Sequence, residues 1–396
     1  MRVLATATAG TNRILAEECG DLGLKPRRVP AHGVEMDLDW AQIARGLMHL
    51  RTAQRLLIRL AHIPCDGAQS LYDGVRAIDW TRYLDAKQTL AIGASGRLPK
   101  KRRGGPLTNH VFASQRIKDA IVDQFRDKQG ERPDVDVSNP DVRVVARFVG
   151  DAASIWLDPC GTGLHIRGYR KESVEAPLRE TMAAALVRSS SWDPDRPFID
   201  PMCGSGTIAI EAACIGLGLA AGRLRTFGAE NWRHEGGELP ALIAAEREAA
   251  HEHAHEAIAR SELRIACSDS DKRAVGISRA NAKRAGVQQI VKAELADARD
   301  LAHPERGTVI ICNPPWGERM GSKSIVNLYA SIGRQWRGFS GCELVIIDGH
   351  DDFESAFGLP CDGVLEWSNG PISVRIRRYL LGKQAKRSAS RKPRRG

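Results

Sequence analysis

The feature that most constrains this chain is a rhythm in its second half. From about residue 173, short apolar segments alternate with stretches long enough for helices of ten or more residues. The apolar segments are PFID (197–200), LRIACS (263–268), QIVKAE (289–294), TVIIC (308–312) and ELVIID (343–348). This alternation predicts a parallel α/β sheet with crossover helices, because parallel neighbours need a long connection that a helix supplies. Two more strands are expected at GVLEWS (363–368) and ISVRIRRYLL (372–381), joined through Asn369-Gly370-Pro371. Asn-Gly is a tight-hairpin signal, so the parallel sheet should end in an antiparallel pair.

The first half reads differently. RVLATATA predicts a strand, and NRILAEECGDLG an amphipathic helix closed by glycine. SLYDGVRAIDWTRYL reads as helical and KQTLAIGAS as a strand. ASQRIKDAIVDQFRDKQG is an amphipathic helix with Ile117, Ile121, Val122 and Phe125 on one face. VRVVARFVG and ASIWLD close the half as paired strands. This is an α+β pattern. Residues 158–172, DPCGTGLHIRGYRKE, hold three glycines and no periodicity, which marks a junction. Residues 383–396 are a low-complexity basic tail, expected to be disordered.

Chemistry concentrates at the expected strand ends. FIDPMCGSGTIAIEAACIGLG (198–218) is a strand, a glycine turn and a helix. Gly204 and Gly206 would let a ligand approach the backbone. A phosphate-binding loop is excluded, because the Gly-Lys-Ser/Thr ending is missing. Asp269 ends the second strand and Asp297 follows the third. In a parallel sheet these ends share one edge, where Asp269 can accept from ribose hydroxyls and Asp297 from an adenine amine. The fourth strand delivers Asn313-Pro314-Pro315-Trp316 to the same edge. An amide oxygen and a carbonyl held by rigid prolines form a socket for an –NH2 group, and Trp316 offers a face for stacking a planar base. Two acceptors on its protons would localise an amine's lone pair and aim it at a methyl donor. Ring-carbon methylation would instead need a cysteine nucleophile, and Cys312 lies in the apolar strand. HEHAH (251–255) matches a zinc-protease pattern letter for letter, but it sits in an Ala/Glu-rich helix with no third ligand, so no metal is expected. DPCGTGLHIRGYR resembles a second glycine turn, but no helix follows it.

DPMCGSGT, SDSD, the Asp297 strand end and NPPW together resemble class I S-adenosylmethionine (SAM)-dependent amino-methyltransferases. The resemblance implies that Asp200, Pro201, Cys203, Gly204, Gly206, Asp269, Asp297 and Asn313 hold SAM, and that Asn313 to Trp316 hold the target amine. VEAPLRETMAAAL (174–186) is similar to the family helix near the methionine end of SAM. IDWTRYL, SQRIKDAIVDQF and LHIRGYR resemble a THUMP domain behind a ferredoxin-like domain. The whole then resembles the THUMP-containing RNA guanine-N2 methyltransferases, above all the bacterial 23S rRNA group, in which Trp316 is usually Tyr. The implied organisation is a ferredoxin-like domain at 1–60, THUMP at 61–157, a linker at 158–172, a Rossmann-like methyltransferase domain at 173–382 and the tail.

Charge agrees with a polyanionic partner. The net charge is +10, but the tail alone carries seven Lys/Arg, and the remainder is only +3. RLPKKRR (97–103) is the densest basic run before the tail. Arg97, Lys100, Lys101, Arg102, Arg103 and Lys118 are the expected RNA contacts, giving salt-dependent affinity without sequence choice. The nine cysteines are scattered without a CxxC pair, as in reduced cytosolic proteins. There is no run of 18 apolar residues and no apolar leader in MRVLATATAGTNRILAEE. The expectation is a cytoplasmic, monomeric, SAM-dependent RNA guanine-N2 methyltransferase acting on 23S rRNA, without metal or membrane. The alternatives are a tRNA enzyme, a DNA adenine-N6 or protein glutamine-N5 methyltransferase, and a non-catalytic RNA-binding assembly factor.

Overall fold

Val142–Val149 alternates buried and half-exposed side chains almost residue by residue. That period-two pattern is what a sheet with one covered face imposes. The strand belongs to the first of two compact units in a computed structural model of the chain. Residues 1–99, 105–174, 178–233, 237–315, 322–369 and 372–382 are described.

The front unit is built on eight strands: β1 (Arg2–Thr6), β2 (Pro26–Arg28), β3 (Gly33–Asp37), β4 (Arg55–Pro64), β5 (Thr89–Gly96), β6 (Asp134–Val135), β7 (Val142–Val149) and β8 (Ala152–Leu157). They form one sheet in the order β2-β3-β1-β4-β8-β7-β5-β6. Most pairs are antiparallel, but β5 runs parallel to both β6 and β7. Residue 60 lies inside β4, so the sheet is continuous across it. Helices Asn12–Asp21, Trp40–His49, Ala68–Arg76 and His110–Gln129 contribute to the apolar core on one face. That core includes Leu15, Ile43, Leu71 and Phe125, packed with Leu56, Ile58, Val144 and Ile155.

Residues 158–170, expected as a linker, are packed structure in this unit. Asp158, Cys160, Leu164, Arg167 and Tyr169 are buried. The buried Arg225 guanidinium donates to the carbonyls of Cys160, Thr162 and Gly163 at 2.8, 2.9 and 2.7 Å. The glycines are there because backbone lies against them. A Cβ at Gly161 would come within 2.9 Å of Gly228 N, and one at Gly168 within 2.2 Å of Leu224 O. Loop-like composition therefore records close chain approach here. Residues 217–261, which in sequence interrupt the alternating half, also cluster with the front unit. They include the helix Leu239–Ala259 that carries HEHAH, where His253 donates to the Leu217 carbonyl at 3.0 Å.

The second unit holds β9 (Phe198–Asp200), β10 (Ile265–Asp269), β11 (Val291–Leu295), β12 (Val309–Cys312), β13 (Glu343–Asp348), β14 (Gly363–Asn369) and β15 (Ile372–Leu380). Their order is β11-β10-β9-β12-β13-β15-β14. The first five are mutually parallel, and β15 is antiparallel to both β13 and β14. The expected parallel sheet with a closing hairpin is therefore present. Residues 370 and 371 of the hairpin turn lie outside the described residues, as does the basic tail. On one side of the sheet, Ile310, Cys312, Leu344 and Ile346 pack against Ile325, Tyr329, Ile332 and Trp336 of the helix Ser322–Trp336.

Candidate active site

The register of the parallel strands fixes which residues meet. Asp200 aligns with Cys267, and Asp269 with Leu295. Ile310 aligns with Ile199, which brings the residues after Cys312 beside those after Asp200. Asp200, the glycine turn, Asp269, Asp297 and Asn313 therefore share the carboxyl edge of one sheet.

Asp269 straps the turn together. Its carboxylate accepts from Gly204 N at 2.9 Å and from Asp271 N at 2.9 Å. Cys203 N donates to Ser268 O at 2.9 Å, so the turn is pinned to the end of β10 twice. The two glycines serve different ends. Gly204 has φ +52°, and the nearest atom to an added Cβ would be Val174 Cγ2 at 3.3 Å. Gly206 has φ +79°, and its Cβ would sit 2.3 Å from Ser278 Oγ. Gly206 is thus required by the neighbouring helix Lys272–Arg284 as well as by its backbone angle.

Two polar residues on the buried face of that helix escaped the sequence reading. Ser278 is one. Asn281, fully buried, donates to Ser205 O at 3.0 Å and to Glu172 O at 3.3 Å. It ties the glycine turn to residues 172–174, the start of the segment that resembles the family helix. The signal was available, because a polar residue on the apolar stripe of an amphipathic helix has to find partners inside.

Asp200 is completely buried. One oxygen accepts from Met202 N at 3.3 Å, and the other has no partner among the described residues. Burial first, and the Asp269 charge next, push its carboxyl well above the ordinary range. An orphaned acidic oxygen beneath an open glycine turn fits a ligand with a cationic end, as SAM has. Asp297 is more committed. It accepts from Arg299 N at 2.8 Å and pairs with the Arg299 guanidinium at 2.5 Å, a pairing that lowers its pKa. Any contact with adenine must share this carboxylate with Arg299. Cys203 and Cys312 are buried, with thiols pushed far up. For Cys203 the bond to Cys267 dominates; for Cys312 it is burial, then Asp200, and neither thiol has nucleophilic character.

Asn313 is half-buried and Pro314 buried. The Pro315 carbonyl accepts from the Tyr329 hydroxyl at 2.6 Å. Tyr329 is fully buried on the stripe Ile325, Tyr329, Ile332, Trp336. Its ring meets Phe353 edge-on at 4.8 Å and His350 at 5.8 Å. Spacing alone marks Tyr329 as core, yet a buried phenol needs an acceptor, and here the acceptor lies within the Asn-Pro-Pro turn. Trp316 lies outside the described residues, as do Lys100, Lys101, Arg102 and Arg103. Arg97 is exposed at the end of β5, and Lys118 pairs with Asp119 at 2.9 Å. Among the described residues no cluster could hold a metal ion, and no helix is long and apolar enough to cross a membrane.

Comparison with known proteins adds to this geometry. Residues 167–377 match the RMKL-like methyltransferase domain, 66–158 the THUMP domain and 2–57 the RlmL ferredoxin-like domain. Ribosomal RNA large subunit methyltransferase K/L of Aliivibrio salmonicida (strain LFI1238) is 33% identical over 392 residues, covering 98% of this chain and 54% of that protein. The chain thus spans about half the length of the curated relatives it matches. SMU.472, assigned as a methyltransferase and solved with S-adenosylhomocysteine (SAH), superposes with a TM-score of 0.84 at 31% identity, over 97% of this chain and 99% of its own. A predicted N6-adenine-specific DNA methylase from Listeria monocytogenes str. 4b F2365 gives 0.83 at 28% identity, over 96% of each chain.

Proposed function

The chain belongs to the RMKL-like methyltransferase family, whose members use SAM, and on that premise we propose that it methylates the exocyclic N2 amine of a guanine in RNA. The substrate we favour is 23S rRNA, met in the cytoplasm, because the match over 98% of this chain is to a large-subunit rRNA enzyme. The observation that carries the reading is the Asn313-Pro314-Pro315 turn at the end of β12, held by Tyr329 beside the glycine turn.

SAM bound at that turn supplies a methyl group on an electron-poor sulfonium. The chain's own part is orientation. The Asn313 amide oxygen and a carbonyl of the turn accept the two amine protons, which turns the nitrogen lone pair out of conjugation and toward the methyl. No strong base is needed, since the proton leaves after the nitrogen has become cationic. Cys312 takes no part, being buried with its thiol protonated. Asp269 holds the glycine turn in shape and presents its free lone pairs to ribose hydroxyls. A guanine inside folded RNA has to leave its stack to reach this edge.

A DNA adenine-N6 reading draws on the name of the Listeria structure, since the same turn accepts any planar amine. The THUMP and ferredoxin-like matches in the front half favour RNA. The test is nucleoside mass spectrometry of rRNA, tRNA and DNA from a deletion strain, complemented with wild type or with Asn313→Ala. Loss of N2-methylguanosine from 23S rRNA, restored only by wild type, is expected. Loss from tRNA alone would move the substrate, and loss of N6-methyladenine from DNA would overturn the RNA reading. Purified Asn313→Ala should bind SAM within about twofold of wild type and transfer no methyl; normal turnover would remove Asn313 from its role.

A further inference from the structure

The helices of the front unit cover one face of its sheet, and the other face has a composition of its own. Strand register places its side chains in rows. One row is Arg59, Trp156 and Val145 across β4, β8 and β7; the next is His62, Ser154 and Arg147. At the other end, Arg55 and Arg143 flank Asp158. With a rise of about 3.3 Å per residue and about 4.8 Å between strands, the four arginines frame a patch of roughly 13 by 10 Å. Its floor is Trp156, packed with Leu4, Leu57 and Val145 in a small apolar cluster.

Charge and hydrogen bonding in these rows are both unbalanced; Glu35 stands further along the same face, opposite Leu4, and pairs with Arg28. Asp158 is the one acid in these rows, and it already pairs with Arg55. Arg59 lies over the Trp156 ring at 6.0 Å, and Arg147 is half-exposed; neither has a carboxylate partner among the described residues. The Arg147 charge is felt across the sheet by His32, whose imidazole is pushed below its usual range by burial first and by Arg147 next. Two buried donors, Trp156 Nε1 and Arg143 Nε, have no acceptor among the described residues. Trp156 is only 6% exposed, so a stacked base is not what the face is built for. Half-exposed cations without carboxylate partners, Arg59 and Arg147, suit a ligand made only of acceptors.

We propose that this face is a docking surface for an RNA backbone, with phosphates held by Arg59 and Arg147 and flanked by Arg143. Its residues are distinct from the basic run at 97–103 and from the strand ends of the second unit. The inference rests on the RNA reading above, and it adds where that RNA is gripped. Contacts of this kind fix position and register while leaving sequence choice to the active site.

The test uses the full chain with Arg59→Gln/Arg147→Gln, and Arg59→Lys/Arg147→Lys as the charge-preserving control. Binding of a 20-nucleotide oligouridylate is measured from 50 to 300 mM salt. Losing two phosphate contacts should flatten the slope of log affinity against log salt by about 1.4 and weaken binding at least tenfold at low salt. The Lys pair should restore most of both, and SAM affinity should not change. An unchanged slope in a Gln pair that melts like wild type overturns the proposal. So does a loss of self-association, by sedimentation, in place of a loss of RNA binding, because the occupant would then be a second copy of the chain. Should wild type methylate no RNA and yet bind oligouridylate through these arginines, the proposed function fails and the surface stands. Normal RNA methylation with arginine-independent binding overturns the surface and leaves the function in place.

Discussion

Tyr329→Phe isolates the link between a core side chain and the turn proposed to hold the amine. The phenylalanine keeps the edge contacts with Phe353 and His350 and removes only the hydroxyl that donates to Pro315 O at 2.6 Å. Tyr329 is fully buried, so the bond is shielded, and a neutral hydrogen bond of this kind contributes about 1 to 1.5 kcal/mol. In a unit of this size that is a fall in Tm of about 2–6 °C. The kinetic effect has a separate origin. Without its donor the Pro315 peptide is free to turn, and the acceptors before it lose their alignment with the amine. If the full bond energy acts on alignment in the transition state, kcat falls about tenfold, since 1.36 kcal/mol is a factor of ten. SAM affinity, which the proposed function assigns to the glycine turn and Asp269, should stay within about twofold. The assay is single-turnover transfer from radiolabelled SAM to RNA at saturating concentrations of both, with SAM binding measured by calorimetry. A variant with lowered Tm but kcat within twofold of wild type would show that the bond stabilises the core and nothing more.

Other consequences can be checked in the same preparations. Asp200 has a folded-state pKa raised by burial above the unfolded value of about 4. The unfolded chain therefore ionises first, and the ligand-free protein should lose stability as pH climbs from about 4 through the raised pKa. A cationic ligand favours the carboxylate, so SAM binding should strengthen over the same window and release a proton. Calorimetry in two buffers of different ionisation enthalpy measures this release, and an equal release from Asp200→Asn would refute the assignment. Gly206→Ala forces a Cβ to 2.3 Å from Ser278 Oγ at φ +79°, which combines backbone strain with overpacking. A loss of about 2–4 kcal/mol by urea unfolding is expected. Adding Ser278→Ala should recover part of it, while strictly additive losses would show that the clash is not the cause.

The strands of the second sheet were legible because apolar runs bounded by Gly, Pro and Asp leave little choice of length or direction. ELVIID is a strand over Glu343–Asp348, and the closing hairpin follows its Asn-Gly signal as far as Asn369. The shared edge of Asp200, Asp269, Asp297 and Asn313 followed from topology alone. Tertiary roles were not legible. Nothing in DPCGTGLHIRGYR says that Arg225, more than 50 residues later, fills it with hydrogen bonds. Asn281 and Tyr329 read as ordinary members of amphipathic helices, and only their partners give them meaning. Arg59 and Arg147 belong to separate strands, and no sequence window contains both.

The strand that runs through residue 60 limits how the front half can be divided. Sequence comparison sees two modules in the front half, meeting between residues 57 and 66. The backbone sees one ladder, with β4 hydrogen-bonded to β1 on one side and to β8 on the other. Cutting there would bare two long rows of amide groups, each a template for aggregation. Grafting one front half onto another family member must therefore keep 1–170 in one piece, together with 217–261, which pack into the same core. In native-state hydrogen exchange, the amides of β1, β4 and β8 should open together with one free energy.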